Sequence, residues 1–173
     1  HHLMSGRISH HEIAQLTKSA AKISGAPLVI DQPSAMTVME LHATARHMKY
    51  KYGIKFLIID YLQLMHAKAD SRVHEVSKIS AAVKSVAKEL NIPVLVLSQL
   101  SRRVEEQDRS PRLSDLRDSG SIEQDADVVA FLHRQSESKV HLILAKHRNG
   151  PCGTVVLEFV PSLTKFKEPD ELV

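Results

Sequence analysis

The sequence predicts one α/β domain: a mainly parallel sheet flanked by helices, with antiparallel strands at its C-terminal edge. Short apolar runs at 28–30, 56–59 and 94–97 alternate with stretches of helical period, the pattern of strand–helix–strand units with both sheet faces covered. Three more apolar runs, 128–132, 140–145 and 154–159, follow one another without a helix between them. The turn residues Asn149-Gly150 and Gly153 separate the last two, so these runs read as antiparallel or mixed edge strands.

Each element has local support. Ser9 to Glu12 has capping-box spacing, the series Ile13, Leu16, Ala20, Ile23 follows at helical period, and Gly25 closes the helix. Leu28-Val29-Ile30 then reads as a short buried strand. A second capping box, Thr37 to Glu40, opens a helix bearing Val38, Leu41, Ala45 and Met48 that Gly53 ends. After the strand at 56–59, residues 66–74 are polar and read as a mobile loop. From Glu75 the series Val76, Ile79, Val83, Val86, Leu90 predicts a third helix, stopped before Pro93. No repeat, low-complexity tract or linker interrupts the chain.

Composition narrows the function classes. A chain of 173 residues with 43% hydrophobic residues buries a real core. Charged residues make up 25% with both signs interspersed, which argues against disorder. The net charge of +3 permits an anionic partner without implying one. A single Cys152 excludes an internal disulfide and fits a reducing cytosol, so a cytoplasmic location is expected. No apolar run reaches the roughly 20 residues of a membrane span, and no signal peptide is seen. His1-His2-Leu3-Met4 reads as a tag remnant, leaving 5–173 as the domain.

Chemistry is expected at the carboxyl ends of the parallel strands. Asp60 follows the run at 56–59, Gln99 follows 94–97 after Ser98, and Lys146 follows 140–145. An apolar strand ending in Asp is the Walker B pattern, whose carboxylate holds Mg²⁺ beside a nucleotide's phosphates. An almost wholly polar loop, 114–127, lies between two of the apolar runs, where strands position binding loops.

Four segments, in order, resemble the motor domain of DnaB-type replicative helicases, ring-shaped ATPases of RecA-like fold. They are Phe56-Leu57-Ile58-Ile59-Asp60-Tyr61-Leu62-Gln63-Leu64-Met65, Val94-Leu95-Val96-Leu97-Ser98-Gln99-Leu100-Ser101-Arg102, the polar loop Asp115-Leu116-Arg117-Asp118-Ser119-Gly120-Ser121-Ile122-Glu123-Gln124-Asp125-Ala126-Asp127, and Ala145-Lys146-His147-Arg148-Asn149-Gly150. The resemblance implies a RecA-like P-loop NTPase core using ATP and Mg²⁺. In it, Asp60 is the Walker B carboxylate and metal ligand, and Gln99 senses the γ-phosphate or the attacking water. Lys146 and Arg148 reach the neighbouring subunit's ATP, Arg148 as an arginine finger. Arg117, Asp118 and Gly120 lie in the loop that grips single-stranded DNA. Implied partners are single-stranded DNA, identical subunits in a hexameric ring, primase and a helicase loader, with no membrane.

Other readings of the same residues stay open. Lys146 and Arg148 could simply protect a hairpin edge. Arg102, Arg103, Arg109 and Arg112 could track DNA, but Glu105, Glu106 and Asp108 dilute them into a solvated loop. The eleven His residues show no metal-ligand spacing. Tyr61 and Met65 read as packing residues, and 4% aromatics argue against base stacking as the main mode of DNA contact.

One departure from the family is plain. An ATP motor needs G-x-x-x-x-G-K-S/T to cradle phosphates, and none of Gly6, Gly25, Gly53, Gly120, Gly150 or Gly153 begins that motif. The P-loop, the first strand and the catalytic glutamate are then expected upstream of residue 1, making 5–173 a partial motor domain truncated at its N-terminal side and inactive by itself. The alternatives are a RecA-like recombination or repair ATPase, which is not expected to carry 115–127 in this form, and a non-catalytic interaction module that lost its P-loop. Retention of Asp60, Gln99, Lys146 and Arg148 together argues against the module.

Overall fold

The computed structural model describes residues 6, 8–33, 35–100, 104, 109–116 and 120–169. Backbone contacts separate two units, residues 1–34 and 35–173.

The first unit holds helix α1, His10–Ser24. Its capping box forms as the spacing predicts: Glu12 N–H donates to Ser9 Oγ at 3.3 Å, and Ser9 N–H donates to Glu12 Oε2 at 2.8 Å. The expected strand Leu28-Val29-Ile30 is absent. Leu28 and Ile30 are 59% and 69% exposed, and no described strand pairs with them. A lone extended segment has no ladder for its N–H and C=O groups, so apolar composition alone does not make it a strand.

In the second unit the order is β1 (Met36–Thr37), α2 (Val38–Tyr52), β2 (Leu57–Ile59), a 3₁₀ turn (Leu62–Leu64), β3 (Met65–His66), α3 (Arg72–Leu90) and β4 (Val94–Val96). A second 3₁₀ turn (Leu113–Asp115) and α4 (Gly120–Asp125) precede β5 (Val128–Arg134), β6 (Lys139–His147), β7 (Gly153–Val160) and β8 (Lys165–Lys167). Thr37 and Glu40 form the predicted capping box of α2, and Gly53 ends it at φ 62°, a left-handed conformation natural to glycine. Helix α3 begins earlier than expected. Ser71 caps it, its Oγ accepting from His74 N–H at 3.3 Å, and Met65–His66 pairs with β1. The supposed loop at 66–74 is therefore a strand end, a short link and a helix start.

The α/β class holds, divided among three sheets. β1 pairs with β3 and β2 with β4, both parallel, while β5-β6-β7-β8 form an antiparallel sheet. Helix α3 lays Val76, Ile79, Val83 and Val86 against Leu41 and Ala45 of α2 and against Leu62 and Met65. Ile79 is fully buried, and burying one such side chain contributes roughly 1.5–3 kcal/mol. Leu57, Ile59, Val94 and Val96 pack on the same cluster. Their alternates Ile58 and Leu95 remain 54% and 46% exposed, because a strand sends successive side chains to opposite faces. Among the described residues the β2–β4 pair is covered on one face, where the alternating pattern suggested both.

Candidate functional site

Two of the predicted strand-end residues come together. β2 and β4 run side by side with Ile59 opposite Val96. Leu97 N–H donates to the Ile59 carbonyl at 3.0 Å, and Leu62 N–H donates to the Leu97 carbonyl at 2.9 Å. Asp60 and Gln99 thus emerge from the carboxyl ends of adjacent parallel strands, both exposed. Gln63 ties the two ends: its Nε2 donates to Ser98 Oγ at 3.0 Å and its Oε1 accepts from Gln99 N–H at 3.4 Å. No role for Gln63 was visible in the sequence, since its partners lie more than thirty residues away.

Gln63 is itself braced from α3. Its carbonyl accepts a long 3.5 Å bond from Arg72 Nη2, and Arg72 Nη1 donates to Glu75 Oε2 at 2.6 Å. Glu75 Oε1 accepts from Ala67 N–H at 3.1 Å. Arg72 first, and Ala67 N–H next, hold the Glu75 carboxyl below its ordinary range.

Lys146 and Arg148 form a second cluster at the end of β6. Strict alternation would put Lys146 on the opposite face from Ile143 and Ala145, which pack on the core around Val129 and Phe131. A register shift intervenes: Ala130 faces Leu144, yet Val129 faces Lys146. Ala145 is the extra residue of a β-bulge, and a bulge re-aims the side chain after it. Lys146 is thereby turned toward α4, where Nζ donates to the Glu123 carbonyl at 2.5 Å. A cation on the open carbonyls of a helix C-terminus is favourable there.

Arg148 is bound to Asp127 twice, N–H to its carbonyl and Nη1 to Oδ1, each at 2.8 Å. The other carboxylate oxygen of Asp127 accepts from Lys84 on α3. Lys84 first, with Arg148 and Lys146 adding their fields, holds the Asp127 carboxyl below its ordinary range.

Of the three loop residues singled out, Arg117 and Asp118 lie outside the described residues, as do Arg102 and Arg103. Gly120 is exposed and opens α4. The flank before them is firmly anchored. Leu116 is buried with Val129 and Phe131, and Asp115 is only 7% exposed. Arg109 donates to both Asp115 oxygens at 2.7 Å through Nη1 and Nη2, and Arg112 N–H adds a third bond at 2.7 Å. These donors, Arg109 foremost, hold the Asp115 carboxyl at about 2. Arg109 is therefore tied to the base of this segment. The flank after them is fixed to α3, Ser77 Oγ to Ser121 Oγ at 3.0 Å and Ser80 Oγ to Asp125 Oδ2 at 2.6 Å.

The four strand-end groups thus fall into two clusters, Asp60 with Gln99 and Lys146 with Arg148. Among the described residues no hydrogen bond or ion pair joins the clusters directly; α3 touches both, through Arg72 at its start and Lys84 further along. Nor does any group of His, Cys, Asp and Glu there form a metal cage. A lone exposed carboxylate still fits Mg²⁺, which keeps water and phosphate ligands and takes only one or two carboxylates from a protein. No helix among the described residues is long and apolar enough to cross a membrane.

The turn that presents Arg148 depends on Gly150. A Cβ there would collide with Cε1 and Nδ1 of the His147 ring, whose Nδ1 lies 3.3 Å from the Pro151 carbonyl. Gly150→Ala is expected to destabilise the protein by about 1 kcal/mol as the ring is displaced. Adding His147→Ala should recover most of that loss, as read by urea denaturation.

A family model described as the DnaB-like helicase C terminal domain matches residues 1–168. The replicative DNA helicase DnaB of Leifsonia xyli subsp. xyli is 44% identical over 178 residues, covering 96% of this chain. The replicative DNA helicase DnaC of Bacillus subtilis is 44% identical over 176 residues, covering 95%. The chain spans 39% of the length of each. Among solved structures, one described as an ATPase domain superposes with a TM-score of 0.89 at 40% identity, over 98% of this chain and 65% of that one. A DnaB-like replicative helicase, described with its interactions with primase, gives 0.85 at 41% identity, over 92% and 41%.

Proposed function

Because the chain belongs to the DnaB-like helicase C-terminal domain family, we propose that it is part of the motor of a replicative helicase, a hexameric ring in which ATP hydrolysis drives translocation on single-stranded DNA and unwinding of the duplex. The observation that carries this reading is the placement of Asp60 and Gln99 side by side at the carboxyl ends of β2 and β4, bridged by Gln63. That is where an open parallel sheet holds its ligand.

In this reading Asp60 would hold Mg²⁺, directly or through water, and the ion when bound would supply charge neutralisation at the nucleotide's phosphates. Gln99 faces the γ-phosphate or the attacking water, its backbone steadied by Gln63. Lys146 and Arg148 act across the subunit boundary on the neighbour's ATP. Arg117, Asp118 and Gly120 belong to the loop that grips DNA: Arg117 supplies charge, Gly120 lets backbone approach phosphate, and Asp118 orients Arg117 or accepts from a backbone or ribose-side donor. Primase and a loader are the expected protein partners, and the cytoplasm the expected compartment.

The test has two arms. The 173-residue chain by itself contains no phosphate-cradling G-x-x-x-x-G-K-S/T and should show no magnesium-dependent ATP hydrolysis. Full-length protein should hydrolyse ATP, and Asp60→Asn in it should lower kcat on the order of 10²–10³-fold. Wild-type turnover by Asp60→Asn, or hydrolysis by the short chain, would sink the assignment.

A further inference from the structure

Helix α3 presents Ser77, Ser80 and Lys84 along one face, at the i, i+3, i+7 spacing that lines side chains up on a helix. All three bond to the segment that follows the DNA loop: Ser77 to Ser121, Ser80 to Asp125 and Lys84 to Asp127. None of them has a part in the roles above. Asp127 is where this row meets β6. One of its carboxylate oxygens takes Lys84 and the other takes Arg148, while its carbonyl takes the Arg148 N–H.

Two features make this junction more than a surface ion pair. Arg148 spends one guanidinium nitrogen on Asp127; among the described residues Nε and Nη2 have no bonded partner, and the side chain is 54% exposed. Guanidinium is a rigid fork, so fixing one nitrogen aims the rest. Charge adds to this. Lys84 and Arg148 share the Asp127 carboxylate, and Lys146 acts on it as well.

We propose that Asp127 is a positioning residue that couples the DNA-loop segment to Arg148, so that displacement of 120–127 by DNA re-aims the guanidinium. This rests on Arg148 acting on a neighbour's nucleotide. Asp127 lies two residues beyond α4 and holds Arg148 by both backbone and side chain, so the loop cannot shift without shifting the arginine's anchor. Asp127 belongs to the 120–127 segment and bonds directly to Arg148, which makes the connection contiguous.

The experiment measures ATP hydrolysis by full-length hexamers with and without oligo-dT. The expected result for Asp127→Asn is a roughly 10- to 100-fold fall in DNA-stimulated kcat, the scale of a misplaced catalytic group. KM for ATP and ring assembly should be unchanged, the ratio of DNA-stimulated to DNA-free rate should collapse toward unity, and Asp127→Glu should restore much of it. A substitution that merely unfolded a fraction of molecules would scale both rates and leave that ratio untouched. Should Asp127→Asn fail to assemble, Asp127→Ser removes the carboxylate that holds Arg148 Nη1 while keeping a small polar side chain, and the same fall in ratio is expected. An unchanged ratio in whichever variant assembles overturns the coupling. Arg148→Ala in parallel separates the two claims: if it retains hydrolysis, the trans-acting reading fails; if it is inactive while Asp127→Asn keeps the wild-type ratio, only the coupling fails.

Discussion

Arg148→Ala in the full-length protein is expected to lower ATP hydrolysis by roughly 10³-fold or more while nucleotide binding stays largely intact. A planar cation placed beside a transferring phosphoryl group stabilises charge that develops only in the transition state, so its loss falls on kcat rather than on ground-state binding. The geometry suits such a role, because Arg148 stands exposed on a turn, pinned at one nitrogen by Asp127 with the rest of the guanidinium outward. Arg148→Lys should rescue little, because a point charge cannot hold Asp127 and a phosphate at once as the fork does. The demanding check is mixing. Subunits bearing Arg148→Ala keep Asp60, and subunits bearing Asp60→Asn keep Arg148, so mixed rings contain some complete sites at their boundaries. Mixed rings more active than either pure ring establish action in trans; no recovery would place the arginine's effect within its own subunit.

What the sequence made legible was local. The Thr37–Glu40 box, the left-handed Gly53, the α3 periodicity and the strand ends at Asp60 and Gln99 each follow from residues within a few positions of one another. What it concealed was non-local. Gln63 reaches Ser98 and Gln99, and Lys84 reaches Asp127, across dozens of residues, and no spacing rule encodes such bonds. Ser77 and Ser80 likewise meet Ser121 and Asp125 from more than forty residues away. The bulge at Ala145 escaped for a different reason: alternation predicts one side-chain direction, and only pairing with β5 shows that Lys146 is turned the other way. β8, a lone Phe166 between lysines, is too short to show a period and is held by Phe159, whose ring centroid lies 5.1 Å from that of Phe166. Leu28-Val29-Ile30 failed in the opposite sense, having the composition of a strand without a partner.

Asp115→Ala is expected to lower thermal stability by several degrees and to weaken binding of single-stranded DNA, with a characteristic dependence on pH. Its carboxylate accepts two bonds from Arg109 and one from Arg112 N–H while nearly buried. Removing it takes two charge-assisted bonds from the half-buried Arg109 guanidinium and one from Arg112 N–H. The same bonds hold the folded carboxyl at about 2, against an ordinary value of 3.8. A group whose folded pKa is depressed contributes stability above its unfolded pKa and loses it as pH falls toward the folded one. The difference in midpoint between wild type and Asp115→Ala should therefore be constant above pH of about 5 and shrink as pH falls from 3.8 to about 2. A difference that stayed constant through that window would show that packing, not charge, fixes the base of the loop. Asp115→Asn refines the comparison, since it keeps the shape and one acceptor but no charge. If the carboxylate's charge is what anchors the base of the loop, Asp115→Asn should resemble Asp115→Ala near neutral pH and wild type at the acid end.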